Sequence, residues 1–445
     1  MKKTAFIFAL MFLVFSTPAH AINVEEVTSP GGITAWLVED HQLPLISMQF
    51  AFKGGVEQDP VDKQGLATLT MNLLAEGAGP YDAAQFQQQL ADNGIQMSFG
   101  AGRDALTGGI KMLSADRVTA FKLLHLALSE PRFDPAAVDR LRAQQITSLR
   151  FELGDPGWQA RYALLSYIFA GHPYSERSLG TAKSLAGLSQ NDIEAFTARH
   201  LARDNLLVAV AGDITPAELA PALDRIFGNL PATARLETVP EAAWPPKPAI
   251  ILVPRKGTQT DLLFAEPGPK RAARDWFAAD IANYILGGGG FSARLMRAVR
   301  DKRGLTYGIG TQLAPMKHAA IIVGSAATDN AKTGKAWGVT LGVMRGFYKS
   351  GVTAGEIKGA KDYLTGSLPL DLTSTDAIAS ALIEMQLDHL GPDYLDKRNG
   401  MIRAVTKAQV AAAIARWFDP ARVTLAMVGA PEGVTPSVTE LQVRK

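Results

Sequence analysis

Residues 45–52 alternate: Ile46, Met48, Phe50 and Phe52 fall on one side, Ser47, Gln49 and Ala51 on the other. A period of two predicts a strand with one buried face, and residues 33–38 read as a strand before it. The period then changes. Leu66, Leu69 and Leu73 share one side of a predicted helix over 65–76, which Gly77-Ala78-Gly79-Pro80 ends. A second helix is expected over 81–92, and 97–113 is strand-like with glycine interruptions. Ser114 is placed to cap a helix reaching about Leu128. Asp134-Pro135 starts a long helix with proline at its first position, and Thr215-Pro216-Ala217-Glu218 is a capping box with the same proline placement.

Six prolines (231, 240, 245, 246, 248 and 254) then interrupt the pattern. No helix survives that density, and a central strand does not tolerate it, so residues 231–248 read as an extended interdomain linker. The two sides are related. An offset of 217 places Leu188-Ser189 on Val405-Thr406, Ala198-Arg199 on Ala415-Arg416 and Gly212 on Gly429. Both copies read as a capped helix, a turn and a strand, NLLVAVAGD beside RVTLAMVGA, and LLAEGAG at Leu73 is echoed by ILGGGG at Ile285. One long repeat means two copies of one α+β domain rather than a solenoid. The expected domains are 22–230 and 249–445, each a mostly antiparallel sheet packed with helices.

The N-terminus adds an address. Lys2 and Lys3 precede an apolar run over 5–15 and the small-x-small site Ala19-His20-Ala21, which reads as a secretory signal over 1–21. The run is too short to span a bilayer unaided, so no membrane association is expected after cleavage. Removing two lysines from 45 basic residues leaves 43 against 43 acidic ones, a balance that does not suggest nucleic acid. The chain has no cysteine, which excludes disulfides, thiolate chemistry and a lipid anchor on cysteine. A periplasmic location fits both features. At 47% hydrophobic and 20% charged residues, the 445-residue chain is long enough to bury more than one core.

The richest stretch is GGGGFSARLMRAVRDKRGLTYGIG, which begins at Gly287. It reads as four glycines, then a short helix with Leu295 and Val299 one turn apart, a break at Arg303-Gly304, and a strand in which Tyr307, Ile309 and Thr311 alternate. Arg300 and Tyr307 lie seven residues apart, at a helix end and a strand start. Two donors on rigid elements can converge on one carbonyl oxygen. Arg294, Arg297 and Arg303 read as a solvated face. This stretch, with GGVEQDPVDKQGLATLTMNLLAEGAG from Gly54 and GHPYSERSLGTAKSLAGLSQNDIEAFTARHLARDNLLVAVAGD from Gly171, resembles the pitrilysin/insulinase-type zinc metallopeptidases over nearly the whole chain.

The resemblance implies a role by what is kept and what is lost. In that family an Arg and a Tyr seven residues on bind the substrate's main chain and polarise the scissile carbonyl; Arg300 and Tyr307 match them. The family's inverted His-x-x-Glu-His motif falls on GLATLTMNLL, where Thr68 and Asn72 hold the ligand positions and Met71 that of the base. Threonine and amide groups are poor zinc ligands and methionine takes no proton. The third ligand should fall within 144–149, which has no Glu; Glu152 beyond it reads as a surface carboxylate. Of His41, His125, His172, His200, His318 and His389, no two lie three to five apart, and His172 in its GHPY turn reads as structural. No G-x-S-x-G elbow or phosphate loop is present.

Gly287, Gly288, Gly289 and Gly290 have two readings: a loop against which a peptide backbone lies, as in the non-zinc subunit of the mitochondrial processing peptidase, or a helix terminator between packed elements. The family would fold the two domains as half of a clam-shell. The expectation is a non-zinc subunit, inactive alone, in a periplasmic heterodimeric metalloendopeptidase. A homologous zinc-bearing subunit would carry the metal, this chain would carry no cofactor, and a peptide would be the substrate. The alternative is an inert scaffold or peptide-binding protein of the same fold.

Overall fold

The computed structural model describes residues 23–245 and 247–439; the expected signal lies outside the described residues. Two six-stranded sheets organise the chain. The first holds β1 (Glu25–Thr28), β2 (Thr34–Glu39), β3 (Leu45–Lys53), β4 (Gln96–Ala101), β5 (Ala105–Leu113) and β6 (Leu206–Gly212), in the order β1-β2-β6-β3-β5-β4. The second holds β7 (Ile250–Pro254), β8 (Gln259–Pro267), β9 (Ile309–Pro315), β10 (Ala320–Asp329), β11 (Thr424–Gly429) and β12 (Val438–Thr439), in the order β12-β7-β11-β8-β10-β9. Five strands correspond directly: β2-β6-β3-β5-β4 in one sheet and β7-β11-β8-β10-β9 in the other. The β2–β6 and β7–β11 pairs are both parallel, and the three pairs that follow in each series are antiparallel.

The repeat extends to single contacts. Phe50 pairs with Gly108 across β3 and β5, and a Cβ on that glycine would sit 2.2 Å from the ring. Phe264 pairs with Gly324 across β8 and β10 with the same 2.2 Å approach. Each ring needs its glycine. Gly212 and Gly429 close equivalent strands at φ of 127° and 154°. The capping boxes at Ser189 and Thr406 both form, as does the one at Thr215.

The prediction for β3 is half right. Ile46, Met48, Phe50 and Phe52 are buried in the first core, but Ser47 and Ala51 on the opposite face are also fully buried. The cause is non-local. Helix Thr375–Leu387, from the second half, lies across β3 and β6; Ser47 Oγ meets Thr375 Oγ1 at 2.8 Å, and Lys111 pairs with Asp376 at 2.7 Å. Reciprocally, helix Pro156–Ile168, from the first half, lies across β11 and β8 of the second sheet. Adding 217 to its bounds gives 373–385, almost the span of the helix lent the other way. Each half covers the other's sheet.

Other expectations shift locally. Residues 97–113 form the β4–β5 hairpin. Ser114 begins a short 3-10 turn without capping the helix Arg117–Ser129, and its hydroxyl binds Asp213 instead. Asp134 precedes Pro135 at the helix start, but its carboxylate is held by Arg132. Among the described residues, no helix or strand lies between Gly228 and Ala249. The segment is nevertheless pinned: Glu237 N–H donates to Gln58 at 2.8 Å, and Ala242 N–H to the His318 carbonyl at 2.8 Å.

Candidate functional site

The helix Leu66–Leu73 is set by Asp59 and Gly65. Gly65 adopts φ +88°, and the Asp59 carboxylate accepts the Gly65 and Ala67 N–H groups at 2.8 and 2.9 Å. Burial pushes Asp59 up to about 7, although these amides pull it down. The helix then turns Met71 wholly into the first core. Thr68 donates its hydroxyl to the Ser178 carbonyl at 2.8 Å, and Asn72 faces solvent. A base position filled by a core thioether and a ligand position committed to a carbonyl do not fit zinc. No group of three His, Cys, Asp or Glu side chains is arranged to hold a metal among the described residues. Glu152, expected at the surface, is half-buried. Burial raises its pKa, and the charge of Arg177 opposes the rise. The Arg177 guanidinium lies 4.5 Å from the centre of the Tyr162 ring.

Arg300 and Tyr307 line one cavity of about 520 Å³, with Asp301, Gly304, Asp329 and Lys332. Arg300 lies in the last turn of a π-helical stretch, Met296–Asp301, at whose end Lys302 N–H reaches the Arg297 carbonyl. Gly304, at φ +58°, closes it: Gly304 N–H bonds the Arg300 carbonyl at 2.7 Å and Leu305 N–H that of Val299 at 3.0 Å. Leu295 and Val299 are fully buried, as the pattern predicts, and this fixes which way Arg300 faces. Tyr307 does not belong to the strand; β9 starts at Ile309. Thr306 and Gly308 on either side are tied down, Thr306 Oγ1 donating to the Ala327 carbonyl at 2.7 Å and accepting Gly308 N–H at 3.2 Å. The phenol between them is 89% exposed. A tyrosine presented this way is left almost uncovered by the described residues.

The Arg300 guanidinium lies 4.8 Å from the centre of the Phe291 ring and 3.1 Å from Asp301. Phe291 is itself 70% exposed, and the sequence reading passed over it. Arg294 corrects the expectation of a solvated face. It makes a two-pronged pair with Glu356 at 2.7 and 2.8 Å and lies over the Phe347 ring, and its hydrogen bonds hold Glu356 down to about 2.

The glycine quartet is explained largely from within. A Cβ on Gly287 would meet Thr311 at 2.3 Å and one on Gly289 the Tyr284 carbonyl at 2.8 Å, while Gly290 adopts φ +56°. Only Gly288 combines exposure with an ordinary backbone. His172 holds a turn, accepting Tyr174 N–H at Nδ1 and donating from Nε2 to the Pro240 carbonyl. A seam that the sequence reading missed joins the halves here: Tyr174 donates to Asp104, and His318 N–H donates to the Tyr174 oxygen at 3.0 Å.

Residues 187–364 match the family model described as "Peptidase M16 inactive domain". The chain is 26% identical over 372 residues to the "Non-peptidase homolog YmxG" of Helicobacter pylori, covering 83% of this chain and 85% of that protein. It is 23% identical over 429 residues to an "uncharacterized zinc protease" of Mycobacterium bovis, covering 95% and 97%. A solved peptidase M16 inactive domain from Pseudomonas fluorescens superposes with a TM-score of 0.87 at 28% identity, over 93% of this chain and all of that one. Residues 187–364 thus match the inactive-domain model of the peptidase M16 family, and the chain shares the fold of a solved M16 inactive domain.

Proposed function

We propose that the chain is the non-zinc subunit of a periplasmic heterodimeric metallopeptidase. It holds the peptide and supplies Arg300 and Tyr307 to an active site whose zinc is carried by a homologous partner. The observation that carries this reading is the exposed Tyr307 beside Arg300 in one cavity, in a chain whose Met71 fills the place of the zinc-site base. The phenol O–H and the guanidinium donate to the carbonyl oxygen as negative charge grows there. Losing one such donor costs on the order of a hundredfold to a thousandfold in turnover. Relatives of the chain fall on both sides of the split by name, non-peptidase homologue and zinc protease.

The test mixes this chain with a homologue bearing an intact His-x-x-Glu-His motif, encoded beside it. Arg300→Ala and Tyr307→Phe should each lower turnover by about that factor while the complex still assembles. The purified single chain should hold no stoichiometric zinc and cut no peptide. Full turnover with either variant would leave the scaffold reading in its place.

A further inference from the structure

The Arg300–Tyr307 cavity does not end at Tyr307. A second cavity of about 310 Å³ shares Ala327 with it and runs over Gly308 and Gly310. A third, of about 840 Å³, shares Gly310 and Ser325 with the second and continues to Met316. All three follow β10, and the second and third also follow β9. The helix Pro156–Ile168 packs on β7, β11 and β8, and the third cavity opens between it and the part of the sheet beyond. The floor is apolar, with Leu164, Leu263, Ile321 and Val323, and Trp158 forms part of the wall.

The far end is cationic. Arg103 and Arg161 line it with Asp104. Arg103 is fixed in place, its guanidinium 5.0 Å from the Tyr174 ring centre and its Nη1 donating to the Tyr174 carbonyl at 2.9 Å. Asp104 is already engaged by Tyr174 and by Lys317 N–H at 3.1 Å, and Arg161 has no ion pair among the described residues. Burial, then the charge of Arg161, depresses the Arg103 pKa, so an anion placed there would relieve a repulsion.

We infer that this end of the groove binds the free C-terminal carboxylate of a peptide with an apolar last residue, anchoring the chain whose scissile bond lies towards Tyr307. A peptide is favoured over a fatty acid because the exposed Gln312 and Ser325 line the same cavity. An alkyl chain would desolvate those polar groups without bonding them, whereas a main chain offers them partners. Tyr307 and Met316 are nine residues apart in sequence, so an extended peptide of similar length, ~30 Å, spans both ends. The inference rests on the peptide-holding part of the proposed function and needs no zinc partner.

The test is fluorescence anisotropy on the single full-length mature chain. The ligands are an N-terminally labelled decapeptide ending in leucine, its C-terminal amide, and unlabelled decanoate as competitor. The free acid should bind on the order of tenfold tighter than the amide. That preference should vanish in Arg161→Gln and persist in Arg161→Lys, both at an exposed helix position. Equal binding of acid and amide, no binding of either, a preference that survives Arg161→Gln, or displacement by decanoate at matching affinity would each overturn the inference. The readout is binding rather than hydrolysis, so it can fail while turnover of the mixture still depends on Arg300, or hold while it does not.

Discussion

Arg300 owes its position to neighbours of different legibility. The seven-residue spacing to Tyr307 is visible in sequence, because a helix end and a following strand fix it locally. Phe291 under the guanidinium is not, since an isolated aromatic after glycines carries no periodic signal; only folding brings the ring to 4.8 Å. The glycines on its N-terminal side set the turn from which it projects, with Ser292 Oγ bonded to the Gly289 carbonyl at 2.7 Å. On the proposed function, Phe291 would act as a positioning residue for Arg300. An exposed cation–π contact contributes roughly 0.5–1 kcal/mol, so Phe291→Ala should lower kcat of the two-chain mixture by about two- to fivefold. Phe291→Tyr should restore it, with KM little changed. A variant equal to wild type, in a mixture where Arg300→Ala is impaired, would assign Phe291 to another task. Arg294 was misread for a related reason: its partner Glu356 is 62 residues away, and nothing local in the sequence announces the pair.

At the scale of elements, the strands were legible where their burial is one-sided and less so where a distant helix covers the other face, as at Ser47 and Ala51. Strand β8 holds the opposite surprise. By the match of Phe264 to Phe50, Glu266 stands where β3 has the core residue Phe52. Glu266 is 2% exposed, and neither carboxyl oxygen has a hydrogen-bond partner among the described residues. Burial, and then Asp419, push its pKa well above the ordinary value, with Arg422 opposing. The sign follows. A carboxyl whose folded pKa lies above its unfolded one contributes no penalty while both states are protonated, and stability falls as pH rises past the unfolded pKa towards the folded one. Glu266→Met should therefore raise the melting temperature more at pH 8 than at pH 4. At about 1–3 kcal/mol for relief of an unpaired buried group, the gain near pH 8 should be roughly one to three degrees for a unit of this size. An equal shift at both pH values would mean that Glu266 is not the titrating group.

The whole molecule is held together by an exchange that the sequence contains but does not advertise. The offset of 217 relates the two lent helices, yet the pattern alone cannot say that each crosses to the other sheet. Leu164 is fully buried on the second sheet and Leu382 on the first. Each half therefore completes its fold only with a helix from the other, and the two sheets should melt as one unit. Replacing either leucine by alanine removes a buried side chain at a cost of about 2–5 kcal/mol. In calorimetry, Leu164→Ala and Leu382→Ala should each move a single common transition downward, although the residues sit on opposite sheets. If either variant splits the transition, or lowers one of two transitions and leaves the other in place, the halves are independent domains. The groove between helix Pro156–Ile168 and β10 would then lie at a joint that opens, whereas one shared transition makes it a wall of fixed shape, able to hold a peptide at a set distance from Arg300.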